Sequence, residues 1–505
     1  MGQENEAVIA ADPQAAAPQE HVDVLIVGAG LSGIGAACHL RRQCPDKTFI
    51  LLEARESVGG TWDLFRYPGV RSDSDMYTLG YSFRPWRGGK ALADGPAILS
   101  YIRQTAEDCG INRHIRFGQR AVKASWSSAT SLWIVDIQGS DSGMAQLTCK
   151  HLHMCSGYYN YAQGHMPGWP GMERFKGRIL HPQQWPDGLQ YDGTRVVVIG
   201  SGATAVTLVP AMAERASHVT MLQRSPTYIV SRPAVDPIAT ALNRHLPAKP
   251  AYWLARWKNI LLQRYFYATA RHKPDAVRRL ILGGVRAELG PDYDVQKHFN
   301  PRYAPWDQRL CLVPDGDLFA ALRQGRASVV TDEIDYFTEQ GIRLRSGTEL
   351  AADIIVTATG LELQFLGGMA LAVDGEAVNL AAALSYKGVM YSGVPNLTTA
   401  FGYTNASWTL KCDLISVYLC RLLRFMDAKG YAACRPERGD AGASAETTLP
   451  LASGYVQRAQ DRLPKQGLAW PWRSHQNYIK DLLAFRFGAI ADGTLVFSRQ
   501  AEARK

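Results

Sequence analysis

The chain has no C-x-x-C pair and no Cys/His spacing that would hold a metal, although it carries nine cysteines. Scattered thiols in odd number argue against a disulfide framework, a metal centre and a redox disulfide working beside a cofactor. They fit reduced thiols in a cytoplasmic protein. No apolar run reaches the length of a membrane-spanning helix. Net charge is +9, yet Lys and Arg are interspersed, so the basic stripe or reader motif that nucleic-acid binding requires is missing. The excess suits small anionic cofactors instead. Residues 1–20 are Ala-rich and acidic, without a basic n-region or an apolar core, and are expected to form a disordered tail, not a signal peptide.

What is present is a composition typical of an α/β protein: 505 residues, 46% hydrophobic, 20% charged, with 46 glycines. Order is expected from Val22-Asp23-Val24-Leu25-Ile26-Val27, an apolar run suited to a strand buried on both faces. Gly28-Ala29-Gly30-Leu31-Ser32-Gly33 follows, then an amphipathic helix, then a strand ending in Glu53, 25 positions past Gly28. This is the β-turn-α-β pattern of a dinucleotide site. Gly28 allows the tight turn, Gly30 the approach of a diphosphate, and Gly33 the packing of helix on strand, while Glu53 accepts from ribose hydroxyls. Just beyond lie Gly59-Gly60-Thr61-Trp62 and the loop Arg66-Tyr67-Pro68-Gly69-Val70-Arg71-Ser72-Asp73-Ser74-Asp75. Paired glycines let backbone approach a ligand, and the loop carries more charge than a turn requires.

A second unit begins at Arg195-Val196-Val197-Val198-Ile199 and reads Gly200-Ser201-Gly202-Ala203-Thr204-Ala205, or G-x-G-x-x-A. Its second strand ends in Gln223-Arg224-Ser225, with Arg224 lying 24 positions past Gly200. An acid at that strand end repels a 2′-phosphate; an Arg beside a hydroxyl welcomes one. The first site therefore reads as an ADP moiety without that phosphate and the second, with Gly200, Gly202, Ala205, Arg224 and Ser225, as NADPH. Two nucleotide sites without a metal or nucleophile motif imply electron transfer between two cofactors, and FAD is the natural acceptor of the hydride.

Between the two units runs Phe175-Lys176-Gly177-Arg178-Ile179-Leu180-His181-Pro182-Gln183-Gln184-Trp185-Pro186. Its form, F-x-G-x-x-x-H-x-x-x-W-P, resembles the fingerprint of the type I Baeyer–Villiger flavin monooxygenases. The resemblance extends from about Asp23 to the C-terminal region. It takes in Gly59-Gly60-Thr61-Trp62, the Arg66-Tyr67-Pro68-Gly69 loop, Asp307-Gln308-Arg309 and Ala358-Thr359-Gly360. Within the family the chain looks most like the ethionamide-activating subgroup, whose loop reads Tyr67-Pro68-Gly69-x-Arg71-Ser72-Asp73-Ser74-Asp75 here.

The resemblance implies two Rossmann-like domains, for FAD and NADPH, with a helical insertion. Residues 21–158 would form the first part of the FAD-binding domain. Residues 159–365 would form the NADPH-binding domain, with an insertion at about 236–289, and 366–505 the return segment and C-terminal region. Gly60, Thr61, Trp62 and Asp73 would join the cofactor-binding set. Arg309 would be the active-site arginine and Asp73 its carboxylate partner, favouring a flavin C4a-peroxide anion and the oxyanion formed when it attacks a ketone. Phe175, Gly177, His181, Trp185 and Pro186 would link and orient the domains. Many relatives have Lys before the active-site Arg where this chain has Gln308, which leaves more of the 2′-phosphate selectivity to Arg224.

The implied reaction uses O2 to convert ketones to esters or lactones, with oxidation of sulfides or thioamides beside it. Hydroxylation of long-chain alkanes, N-oxygenation and flavin reduction for a protein partner are the alternatives. The insertion is aromatic and basic, with Tyr252-Trp253-Leu254-Ala255-Arg256-Trp257-Lys258 and Arg264-Tyr265-Phe266-Tyr267. A helix of that kind can touch a membrane surface weakly; more often it is a helical insertion with a solvated basic face, the reading taken from sequence.

Overall fold

The computed structural model describes residues 20–141, 143–308, 310–439, 446–447 and 453–500. The expected tail, all but its last residue, lies outside them, as does Arg309. The first strand, β1 (His21–Val27), buries Val24, Leu25 and Ile26 completely. It does so because it runs parallel between two neighbours, β2 (Phe49–Leu52) and a later strand, with helices on the sheet face. Helix α1 (Leu31–Gln43) follows β1 directly, and α2 (Met76–Leu79) closes the charged loop.

Strands β3 (Ile115–Arg116), β4 (Gln119–Ser127), β5 (Leu132–Gly139) and β6 (Met144–Met154) extend the sheet. β6 pairs with antiparallel β5 along its first half and with parallel β1 along its second. Where β6 parts from β5, the distant segment Leu397–Thr399 takes the vacated edge, Thr398 standing opposite His153. Ala370–Val373 adds to β4 in parallel. The sheet of the first domain is thus completed by chain returning from beyond the second.

That second domain is a five-stranded parallel sheet. Its members are β7 (Arg178–Leu180), β8 (Arg195–Ile199), β9 (His218–Gln223), β10 (Ala327–Thr331) and β11 (Ile354–Thr357), in the order β10-β9-β8-β11-β7. Helix α3 (Ala203–Met212) covers it, with Val206, Leu208 and Val209 buried. The chain passes between domains twice, and the two passages, Tyr159–Gly164 and Leu361–Leu363, pair as an antiparallel ribbon.

Three helices form the insertion: α4 (Pro237–His245), α5 (Ala248–His272) and α6 (Pro274–Leu289). Asp236 starts α4 by accepting a hydrogen bond from Ala239 N at 3.0 Å, with proline in the first turn. Helix α5 turns Tyr252, Ala255, Arg256 and Asn259 inward, against α2 and the long C-terminal helix α7 (Trp408–Lys429). The sequence reading placed the basic residues on a solvated face, and Arg244, Lys249, Arg264, Lys273, Arg279 and Arg286 are exposed, but one residue departs from it. Arg256 is fully buried, its Nη1 donating to Tyr77 O and Gly80 O, both at 2.7 Å. Its Nη2 lies 3.5 Å from Asp413 Oδ2. Complete burial works to raise the Asp413 carboxyl, yet His39, Arg256 and the Ser82 N–H hold it below its ordinary range. A guanidinium goes inside where a carboxylate and free carbonyls meet it.

Candidate active site

A cleft of about 430 Å³ runs between the two domains. One wall is the first glycine turn with Glu53, Gly60, Thr61 and Trp62; the other is Ala203, Val206 and Thr207 of α3. The sequence of the turn explains its shape. Gly28 adopts φ +105°, and a Cβ on Gly33 would lie 1.9 Å from Gly28 O, so α1 can sit this low on β1 only with glycine there. Gly30, the N-cap of α1, offers no side chain to the first-turn N–H groups, and Gly30, Leu31 and Ser32 all line the cleft. Gly60 closes against it so tightly that a Cβ would stand 3.0 Å from Gly30 Cα. Bare backbone on both sides of a cavity is what a bound diphosphate requires.

Glu53 is buried at the end of β2, its carboxylate accepting from Ala29 N at 2.8 Å and Arg55 N at 3.0 Å. Burial raises its pKa against those backbone bonds and the Arg55 charge. The carboxylate is therefore fixed at the mouth of the turn. The residues present fit the ADP part of FAD: an uncapped helix N-terminus for the diphosphate and an oriented acid for the ribose.

The charged loop is not a solvated turn. Tyr67 and Ser72 are buried, and Arg71 crosses to the second domain, where Nη2 donates to Asp317 Oδ1 at 3.2 Å. Asp73 and its serine neighbours line the cleft. Asp75 caps α2 and accepts from the amides of Asn259 at 2.8 Å and Gln263 at 2.9 Å, both on α5. The insertion therefore braces the loop that presents Asp73. Arg309 lies outside the described residues; before it Asp307 pairs with Arg271 at 2.7 Å, and beyond it Leu312 lines the cleft.

The second nucleotide set is assembled beside the cleft, not within its lining. Gly200 adopts φ +133°, with Gly202 as the bare N-cap of α3 and Ala205 buried. Ser201 Oγ donates to Ser225 O at 3.1 Å, which ties the turn to the end of β9. Arg224 is exposed there and has no carboxylate partner among the described residues. An uncapped helix N-terminus next to a free guanidinium fits a nucleotide with an extra phosphate.

The fingerprint residues form neither nucleotide turn. Phe175 is in the second domain's core with Val197, Ile199 and Phe337; Trp185 is half-buried and Pro186 exposed. A Cβ on Gly177 would lie 2.4 Å from Asp353 O. His181 Nδ1 accepts from Gln183 N at 3.2 Å, which leaves the proton on Nε2 to be donated to Gly360 O, also at 3.2 Å. Burial lowers the His181 pKa, so the ring is neutral near pH 7. Gln183 and Gln184 donate to Asn160 O and Ala162 O at 2.7 and 2.8 Å. The motif thus grips both strands of the interdomain ribbon.

Two features of the site escape a reading of the sequence. Asp63, directly after Gly60-Thr61-Trp62, is buried and gathers Arg55 at 2.6 Å, Arg103 at 3.0 Å and Arg66 at 3.8 Å. The acid next to a glycine pair was the available signal. Tyr158, Phe401 and Trp408 form an aromatic cluster; Tyr158 and Trp408 line the cleft, stacked with centroids 5.1 Å apart. Nothing local unites residues so far apart in the chain.

Known proteins align with this arrangement. A model of the flavin-binding monooxygenase-like family matches residues 92–242, and one of the NAD(P)-binding Rossmann-like domain matches residues 26–89. The chain is 54% identical to the FAD-containing monooxygenase EthA of Mycobacterium tuberculosis over 482 residues, 95% of this chain and 98% of that protein. It is 50% identical to EthA of Mycolicibacterium smegmatis over 485 residues, 96% and 98% of the two chains. Among solved structures, an oxidized steroid monooxygenase bound to NADP superposes with a TM-score of 0.75 at 22% identity, covering 95% of this chain and all of that one. That last likeness speaks to the fold of two dinucleotide-binding domains. With near-complete coverage at more than half identity, the chain belongs to the family of FAD-containing monooxygenases that includes EthA.

Proposed function

We propose that the protein is an NADPH- and O2-dependent Baeyer–Villiger monooxygenase that inserts one oxygen atom into ketones to give esters or lactones. Sulfides and thioamides are its second substrate class, at the same site. The observation that carries this reading is the single cleft that joins the first glycine turn to α3 of the second domain, with Asp73 between them.

Gly28, Gly30, Gly33, Glu53, Gly60, Thr61 and Trp62 would hold FAD. Gly200, Gly202, Ala205, Arg224 and Ser225 would hold NADPH. Bound flavin, once reduced, supplies the oxygen-activating chemistry. The protein supplies position and charge. Arg309 offers an always-charged guanidinium for the negative charge that develops on the substrate's carbonyl oxygen, and Asp73 orients it and moderates its field. The aromatic cluster at Tyr158 and Trp408 keeps part of the cleft apolar, which excludes water from the reacting face. His181 holds the ribbon and transfers no proton, since both ring nitrogens are engaged with backbone.

The test is mass spectrometry of products from a ketone panel under ¹⁸O₂, with flavin content measured on the same preparation. Esters carrying one ¹⁸O support the reading. A flavin-loaded protein that consumes NADPH and turns over none of the panel refutes it.

A further inference from the structure

The described residues expose seventeen large hydrophobic side chains, and nine of them lie between 235 and 280. That concentration is not scattered surface. On α5 the buried residues Tyr252, Arg256 and Asn259 and the half-buried Gln263 follow one another at helical spacing along one side, and the last three bond to the first domain. At 100° per residue, Leu254, Leu261 and Tyr265 fall on the opposite side, in line, with Trp253 and Leu262 flanking them. Leu254 is 51% exposed, Leu261 49% and Tyr265 70%. A helix with one face locked into the protein has set a second apolar face toward solvent.

The charge around that face is equally one-sided. Residues 236–289 carry ten Lys and Arg against three Asp and Glu, a net +7, where the whole chain is +9. Arg244, Lys249, Arg264, Lys273, Arg279 and Arg286 have no carboxylate partner among the described residues. We propose that the outward face of α5, with these cations around it, seats the protein on an anionic lipid surface. Exposed leucines and an aromatic would enter the headgroup boundary while the basic side chains meet lipid phosphates, the division of labour of an interfacial helix.

Two other occupants fit less well. A second copy meeting the same face would set +7 against +7 in a two-fold contact. A nucleic acid would gain nothing from the apolar centre of the patch, since its backbone is bound by cations. No helix among the described residues is long and apolar enough to cross a membrane, so the seating is peripheral. Because the inner face of α5 holds Asp75, two residues from Asp73, the seated protein would carry its cleft at a fixed height above the lipid.

The experiment uses the flavin-loaded protein, sedimented with phosphatidylcholine vesicles or with vesicles containing phosphatidylglycerol. Partitioning to the anionic vesicles should exceed that to the neutral ones at least tenfold and fall as salt is raised. The variant Leu254→Glu/Leu261→Glu/Tyr265→Glu, checked by its flavin spectrum and melting temperature, should lose at least tenfold in partitioning. Should it fold poorly, Lys249→Glu/Arg264→Glu removes charge at exposed positions and should weaken only the anionic-vesicle binding. Failure of the native protein to bind anionic vesicles at low salt overturns the proposal, as does undiminished binding by the apolar-to-acidic variant. Light scattering that finds a native dimer broken by that variant overturns it in favour of self-association.

Discussion

Lowering the pH from 7.5 to 5.5 should destabilise the first domain through two histidines that take no part in the chemistry. His151 and His153 sit on the second half of β6, 1% and 0% exposed. Each reaches the same hydroxyl, Thr398 Oγ1, through one ring nitrogen, at 3.0 and 2.8 Å. One ring can accept the hydroxyl proton while the other donates to its oxygen, so both are neutral. The remaining nitrogens, His151 Nδ1 and His153 Nε2, have no hydrogen-bond partner among the described residues, so in the donating ring a second proton would be buried and unmatched there, and in the accepting ring it would displace the Thr398 hydroxyl proton. Burial accordingly lowers the pKa of His151 to about 3 and of His153 to about 4.

The sign follows from these depressed values. Between the unfolded pKa and the folded ones, the unfolded chain takes up protons that the folded chain refuses. The stability is fully present above about pH 6.5 and is lost progressively as the pH falls toward 4. At pH 5.5 each histidine costs about 1.4 kcal/mol, together about 3 kcal/mol. For a cooperative unit of roughly 250 residues that is a drop of about 5–10 °C in melting temperature. The assay is differential scanning calorimetry of the native protein and of His151→Gln/His153→Asn, whose amides reach Thr398 from the same positions without titrating. The double variant should lose much less between the two pH values. Equal losses in both proteins would refute the account.

Three further outcomes follow from the site and its supports. Arg224→Ala should raise the KM for NADPH by roughly 10- to 150-fold and leave that for NADH little changed, the loss of one charge-assisted contact of about 1.5–3 kcal/mol, as read from initial rates. Arg309→Ala should keep its flavin but lose oxygenation by a factor on the order of 10²–10³, with residual NADPH oxidation going to hydrogen peroxide; ester formed per NADPH consumed is the measure. Arg256→Met should cost about 3–5 kcal/mol, because it leaves the buried Asp413 without one of its cations, and urea unfolding would show it as a lower midpoint.

Much of the fold could be read in the sequence wherever its cause was local. The turns at Gly28 and Gly200, the acid at Glu53 and the helical character from Asp236 onward all depend on neighbours within a few residues. What stayed hidden depends on distance along the chain. Leu397–Thr399 is only three residues long and is a strand because β6 offers it an edge. Arg256 looks like any other basic residue of an amphipathic helix until Asp413, far along the chain, is brought beneath it. The site divides the same way. Glycines that let backbone approach a ligand announce themselves, whereas the Asp63 cluster and the Tyr158–Trp408 stack exist only once the first domain has folded and, for the stack, once the chain has returned to it.

The late arrival of Leu397–Thr399 has a consequence for how the protein can be made. During synthesis, β1 through β6 leave the ribosome early, but the edge of β6 at Leu152–Met154 stays open until residue 399 has emerged. Helix α7, which packs against α1, comes later still. A nascent or truncated chain therefore carries an unpaired strand edge and the uncovered back of its first nucleotide-binding helix while the whole second domain is being translated. Residues 21–158 should not be obtainable as a soluble fragment alone. The same stretch should fold when 366–500 is supplied as a separate chain, because the missing strand and helix are then restored.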